Sequence, residues 1–498
     1  MMMGNAGGSS FETACKVSSL SDPLWKWDAV DLARTIKSGG VSSREVVEAC
    51  LGRLEKVNAS LNAVTQVMAD EALAAADAAD RETRGGAPLG LLHGVPVTFK
   101  ENVDQAGVAT TSGVTAFANL TASTDSPVVA NFRREGAIIL GRTNTSTFAM
   151  RWHTDNELRG PTLNPWSREH TPGGSSGGAA ASVAAGITPI AHGNDYGGSV
   201  RWPAYCCGLA GIRPTMGQVP GFNGTLPAEP PLTVQIFLAQ GVLARKVRDA
   251  RLGLAAMSSR DPLDPWWVPA PLSGPAPERP IRVALTKNPS GQGVAGEVAK
   301  AIERAGLALE RAGYVVEEVE PPSVEEAMDL WWRLAWTEIN QALGPTIRKH
   351  GGDKFNDAIG RYISATPDLD LPAFIRETAR RATLLREWLL FLDRYPLVVG
   401  PVSTELPFAV DFDTDPSGTA ERLKAAFRLL CAVNLLGLPA IAVPTGTSGG
   451  LPVGVQVIGS RYREDLCFDA AEAIEAQCGL GTPIDPAWES QTADAGRL

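Results

Sequence analysis

Short apolar, β-rich runs alternate with helical stretches along almost the whole chain, and that alternation constrains the fold more than any other feature. VPVTF (95–99), AIIL (137–140) and TPIA (188–191) come first. IRVAL (281–285), YVVEEVE (314–320), PLVVG (396–400), AIAVP (440–444) and VGVQVIG (453–459) follow. Helical patterns at about 294–312, 371–393 and 418–432 separate the later runs. Strands spaced by helices need cover on both faces, so the expected class is α/β, with one large sheet sandwiched by helices. IRVAL, the helix after it and YVVEEVE read as one βαβ unit.

The opening segment is helical in pattern. Ser42 and Glu45 stand three apart ahead of VVEACLGRLEKV, which predicts a capping box, and Gly39 can stop a preceding helix. The Ala-rich EALAAADAADRE (71–82) continues the helical reading, and Ser323 with Glu326 is expected to cap a helix carrying Trp331, Trp332 and Trp336. Residues 1–24 are rich in Gly and Ser and are expected to be loose. Residues 25–490 are expected to form a single domain with its core at about 90–215, and the proline-dense stretch at about 261–280 reads as a surface connection.

Composition serves mainly to exclude. Of 498 residues, 44% are hydrophobic and 20% charged, an ordinary globular balance that argues against wholesale disorder. The net charge is −10 and Lys and Arg do not cluster, so phosphate-backbone binding lacks its driving force and no nucleic acid is expected as a partner. The seven cysteines are scattered without CxxC spacing, which fits a reducing cytosol better than a disulfide framework or a thiolate zinc site. The five histidines lie far apart, with no HExxH pair, so no metal is expected. With no signal-peptide core and no apolar run long enough to span a bilayer, the expectation is a cytoplasmic protein without a membrane partner.

Long stretches dense in Gly, Ser, Thr and Asn (106–124 and 154–178) interrupt this pattern, and loops of such length in a compact protein are usually functional. Three segments stand out: GVPVTFKEN (94–102), TPGGSSGGAAASVAAG (171–186) and HGNDYGGSVRWPA (192–204). The second presents Ser175 and Ser176 between glycines, which reads equally as a flexible loop or as a hydroxyl beside bare backbone. No GK[ST] follows, so a phosphate loop is disfavoured. Gly174 to Gly178 also fits G-x-S-x-G, which would make Ser176 the nucleophile of an elbow, but His192 follows too soon to complete that triad. The third segment offers Ser199 beside Gly197 and Gly198, where consecutive N–H groups can converge on an oxyanion. Lys100 ends an apolar strand, where burial would favour the neutral amine and make it a general base; the plain alternative is a surface lysine.

Taken together, GGSSGGAAASVAAG and GNDYGGSVRWPAYCCGLAGIRPT resemble the two signature blocks of the amidase signature family of serine hydrolases. Ser175 and Ser199 are 24 residues apart, as in that family, and GRTNTSTFAM (141–150), GPTLNPW (160–166), NLLGLPAIAVPTG (434–446) and GLPVGVQVIG (450–459) extend the resemblance over most of residues 28–475. The resemblance implies a single large mixed sheet sandwiched by helices. It also implies a Ser–cisSer–Lys triad in which Ser199 attacks, Ser175 bridges and Lys100 withdraws the proton, with an acyl-enzyme intermediate and no cofactor. It further implies an oxyanion hole from the backbone N–H groups of Tyr196, Gly197, Gly198 and Ser199. Asp195, Arg201 and Ser176 are supporting residues in this reading.

This chain departs from the family pattern where Glu101 follows Lys100 in place of Asp, Asn194 replaces Thr, Tyr196 and Trp202 are bulkier, and Arg213 stands for Lys. Met150, Trp152 and Trp202 are the candidate pocket residues, whereas Trp332 and Trp336, at i, i+4 spacing, are expected in the core. The expected substrate is a small amide, aryl or bulky in character, with carbamates and esters as extras; AHGND and GSVR also resemble the nylon-oligomer and carbamate branch. The alternative is a glutamine-hydrolysing subunit of an amidotransferase complex. The sequence leaves a homodimer open.

Overall fold

The computed structural model describes residues 22–488 apart from 87, 368 and 418; most of the segment expected to be loose (1–24) lies outside the described residues. The strands are β1 (Val64–Val67), β2 (Pro96–Lys100), β3 (Ile138–Thr143), β4 (Ile190–Asp195), β5 (Ala210–Arg213) and β6 (Ala239–Ala244). They continue with β7 (Arg282–Leu285), β8 (Val315–Glu318), β9 (Leu397–Pro401), β10 (Ala440–Ser448) and β11 (Leu451–Gly459). All eleven form one mixed sheet in the order β1-β3-β2-β4-β6-β5-β10-β11-β9-β7-β8.

Parallel pairing joins β3 to β2 and β2 to β4 on one side, and β9 to β7 and β7 to β8 on the other. Between these two parallel blocks β6, β5, β10 and β11 run antiparallel to their neighbours. Every residue of β2, β3, β4, β5, β6 and β11 is buried, which explains why these strands read as continuous apolar or small-residue runs rather than as alternations. IRVAL and YVVEEVE pair in parallel across the helix Gly296–Arg311, the βαβ unit expected.

The helix Ser43–Leu61 opens on the predicted capping box, with Ser42 and Glu45 bonded reciprocally. The helix Val324–Ala342 does not. Ser323 precedes it at φ 53° and gives its hydroxyl to Glu387, while Glu326 pairs with Arg380. The stretch at 418–432 is two helices, Thr419–Ala426 and Arg428–Leu436, rather than one. Strands β5 and β6 escape a sequence reading because AGIR and AQGVLA are short, carry Gly and show no period. No helix among the described residues is long and apolar enough to cross a membrane, and no group of His, Cys, Asp and Glu among them could hold a metal ion.

Candidate active site

Three adjacent parallel strands, β3, β2 and β4, point their carboxyl ends the same way, and the loops leaving those ends build the site. Open α/β sheets bind ligands at this edge. Lys100 is the last residue of β2 and is wholly buried. Its Nζ lies 2.7 Å from Ser175 Oγ and 2.8 Å from Asn194 Oδ1. Asn194 is clasped in turn by Asn102, each amide donating to the other at 3.3 and 3.1 Å. Burial drives the Lys100 pKa down to about 7, with Asp195 opposing the shift, so a large share of the amine is neutral near pH 7 and has a lone pair to offer.

Ser175 is presented by the loop ahead of the helix Gly177–Ala184. The Gly174–Ser175 peptide bond is cis. A Cβ on Gly174 would lie 2.5 Å from the Arg151 carbonyl oxygen and 2.6 Å from the Trp152 carbonyl carbon, so only glycine fits where these two loops cross. Thr145 donates its hydroxyl to the Ser175 carbonyl at 2.9 Å, and Thr154 Oγ1 accepts from the Gly177 N–H at 2.9 Å. Ser176 points elsewhere: its Oγ is buried without a hydrogen-bond partner and it does not line the cavity.

Asp195 ends β4 and organises the turn that carries Ser199. Its Oδ1 accepts from the Gly198 N–H (2.9 Å), Arg201 Nη2 (3.0 Å) and Asn434 Nδ2 (2.8 Å). Its Oδ2 accepts from the N–H of Val200 (3.1 Å) and from Arg201 Nε (3.1 Å). Burial alone would raise the pKa of this carboxyl, but Arg201, Arg213 and Asn434 hold it well below the usual carboxylate range. Asp195 and Arg201 are thus a buried ion pair that shapes the turn and does not reach the cavity.

Ser175 and Ser199 line a cavity of about 150 Å³. Its polar lining comprises Asn102, Arg151, Ser175, Asn194 and Ser199, and aromatic or aliphatic side chains make up most of the remainder. Arg151 is the one charged residue of that lining, and its guanidinium is taken up by Asp413 (2.8 Å), Asp411 (2.9 Å) and Asp155 (3.2 Å). The arrangement can pass a proton from a hydroxyl to a buried amine beside an apolar chamber, and it can bind an uncharged aromatic molecule there.

Ser175 and Ser199 line one chamber, as do Tyr196, Gly197, Met150 and Trp152, while Lys100 lies behind Ser175 and touches it without lining the chamber itself. Gly198 does not line it, and its N–H is given to Asp195, so it is not free to serve the oxyanion hole as expected. Trp202 is also absent from the lining: it is fully buried behind Trp152 and donates to the Trp152 carbonyl at 2.9 Å. Trp332 and Trp336 are buried in the core as expected, and Trp336 also lines the cavity together with Trp331. Phe148, Arg151, Asn102, Asp413 and Asn434 were not singled out from sequence. Asn102, in KEN beside Lys100, and Asn434, in NLLGLPAIAVPTG, sat inside matching segments and could have been; Asp413 carries no local signal.

The amidase family model matches residues 45–468. The chain is 47% identical over 462 residues to the indoleacetamide hydrolase of Bradyrhizobium diazoefficiens, covering 92% of this chain and 88% of that protein. It is 32% identical to a glutamyl-tRNA(Gln) amidotransferase component from Moorella thermoacetica, covering 91% and 96%. Among solved structures, a bacterial aryl acylamidase of the amidase signature enzymes superposes with a TM-score of 0.79 at 29% identity, covering 95% and 99%. A 6-aminohexanoate cyclic dimer hydrolase complexed with substrate superposes at 0.78 and 27%, covering 93% and 99%.

Proposed function

The chain belongs to the amidase signature family and is an amidase acting on amide C–N bonds, and from that premise we propose that it hydrolyses small uncharged aryl-substituted carboxamides of the indoleacetamide kind through Ser199. The neutral amine of Lys100 takes the proton of Ser175 as Ser175 takes that of Ser199, and Ser199 Oγ adds to the substrate carbonyl. The N–H groups of Tyr196, Gly197 and Ser199 are the proposed donors to the oxygen that becomes negative, the Gly198 N–H being held by Asp195. Collapse of this adduct breaks the C–N bond, and the proton held on Lys100 returns through Ser175 to the departing nitrogen. Water then repeats the sequence on the acyl-Ser199 ester, releasing the acid and regenerating the hydroxyls.

The observation that carries the reading is the buried 2.7 Å contact between Lys100 and Ser175, with Ser175 and Ser199 both lining a cavity whose walls are mostly aromatic and aliphatic. An indole or phenyl ring suits such walls. Glutamine does not: its α-carboxylate and α-ammonium would meet no free charge, since the lining's one guanidinium is already paired with three carboxylates. Aryl carbamates and esters present the same carbonyl to Ser199 and are expected as further substrates.

The test is a panel of indoleacetamide, phenylacetamide, an anilide, an aryl carbamate and glutamine, assayed for ammonia or amine release with wild type, Ser199→Ala and Lys100→Ala. The arylacetamides should turn over fastest and glutamine slowest. Either substitution should lower kcat by at least about a thousandfold. Retention of activity in Ser199→Ala, or a preference for glutamine, would overturn the proposal.

A further inference from the structure

Trp152, Trp331 and Trp336 line the cavity, Trp202 and Trp332 are buried beside them, and the five use their indole N–H groups differently. Trp332 and Trp336 leave theirs buried without a partner. Trp331 donates to the carbonyl of Tyr196 at 3.1 Å, and Trp152 donates to the carbonyl of Gly197 at 3.1 Å. Trp202 braces the pair from behind through the carbonyl of Trp152. A buried N–H that finds a partner stabilises the arrangement it belongs to, so these two bonds hold the turn in one orientation. Both acceptors belong to the turn that carries Ser199.

In a trans peptide the C=O and N–H point in opposite directions. Trp331 fixes the Tyr196–Gly197 peptide by its oxygen and so turns the Gly197 N–H away from the indole. Trp152 fixes the next peptide by its oxygen while Asp195 Oδ1 takes its N–H, the Gly198 N–H, at 2.9 Å. The second peptide is thus tethered at both ends and the first at its oxygen by Trp331. The indole also sits hard against the turn: a Cβ on Gly197 would lie 2.7 Å from Trp331 Cζ2, so glycine there is the condition for the contact.

We propose that Trp331, assisted by Trp152, is a positioning residue for the oxyanion: its indole N–H, bonded to the Tyr196 carbonyl, aims the Gly197 N–H at the oxygen of the tetrahedral adduct on Ser199. Trp331 comes from the helix Val324–Ala342, far outside the glycine and serine blocks, so this donor is aligned by a part of the chain remote in sequence from the turn. The inference rests on Ser199 being the nucleophile.

Trp331→Phe keeps an aromatic wall and deletes the N–H. A misaimed donor forfeits part of the hundredfold or more that an oxyanion donor supplies, so kcat should fall by about tenfold with KM almost unchanged. The affinity for an aryl boronic acid, which forms a tetrahedral adduct on the serine, should weaken by the same factor. Trp152→Phe should lower kcat less, by about threefold, because Asp195 still holds that peptide. Both variants should still be labelled at Ser199 by a fluorophosphonate. Wild-type kcat in Trp331→Phe, or a loss confined to KM with boronate affinity intact, would overturn the inference and leave Trp331 as a wall. Failure of Ser199 to label in wild type as well would instead remove the nucleophile assignment on which it stands.

Discussion

At the scale of single residues, the site turns on how a lysine is kept neutral. Lys100 has no facing carboxylate within hydrogen-bond range; its polar neighbours are a hydroxyl and the carbonyl of Asn194, both uncharged, while buried Asp195 raises its pKa from further away. An amide oxygen at 2.8 Å holds one N–H of the amine without favouring its charged form as a carboxylate would. The base is the deprotonated form, so kcat/KM should fall with decreasing pH below about 7, the value to which burial brings Lys100. Asn194→Asp places a negative charge on the amine and should raise that limb by about 1 unit or more, leaving the enzyme slow at neutral pH and partly recovered in alkali. An unmoved limb in the pH profile of Asn194→Asp would show that another group titrates. Lys100, Ser175 and Ser199 were legible as candidates because each sits in a short, chemically loaded string. The Asn102–Asn194 clasp was not, since it joins side chains 92 residues apart.

At the scale of elements, the wall of the cavity is a loop, and one carboxylate holds it. Asp413, fully buried, takes the guanidinium of Arg151 and the backbone N–H groups of Trp152 (3.1 Å) and His153 (3.3 Å). Residues Phe148 and Ala149 in the same loop stand at φ 53° and 57°, a conformation that side chains disfavour and that surrounding contacts must impose. Asp413→Ala leaves the Arg151 charge with two less buried partners and two N–H groups unpaired. Stability should drop by about 3 kcal/mol, read from the denaturant midpoint, and KM for arylacetamides should rise more than kcat falls. An unchanged midpoint with unchanged KM would show that the loop holds itself. Most strands and the helices Ser43–Leu61, Gly296–Arg311 and Leu371–Leu392 could be read from pattern, whereas helices such as Val247–Met257 and Glu464–Cys478 were missed. This loop could not be read at all, because Arg151 and Asp413 meet across 262 residues.

At the scale of the whole molecule, the sheet order brings the chemistry together. Lys100 closes β2 and Asp195 closes β4, its parallel neighbour, while Ser175 lies on the crossover between β3 and β4. Arg201 then ties the turn after β4 to distant parts of the sheet and its cover, reaching Gln456 on β11 at 2.8 Å and Asn434 at 2.6 Å. The mixed order of the sheet was not readable from the alternation of elements, which implies parallel neighbours, although β10 and β11 pair antiparallel across the two-residue turn Gly449–Gly450. The measurement that tests the account most directly is the pH dependence of fluorophosphonate labelling, with the modified residue located by peptide mass spectrometry. The account predicts a single adduct on Ser199, formed at a rate that climbs through about pH 7 and collapses in Lys100→Met. An adduct on Ser176, or a Ser199 rate indifferent to both pH and Lys100, would contradict it.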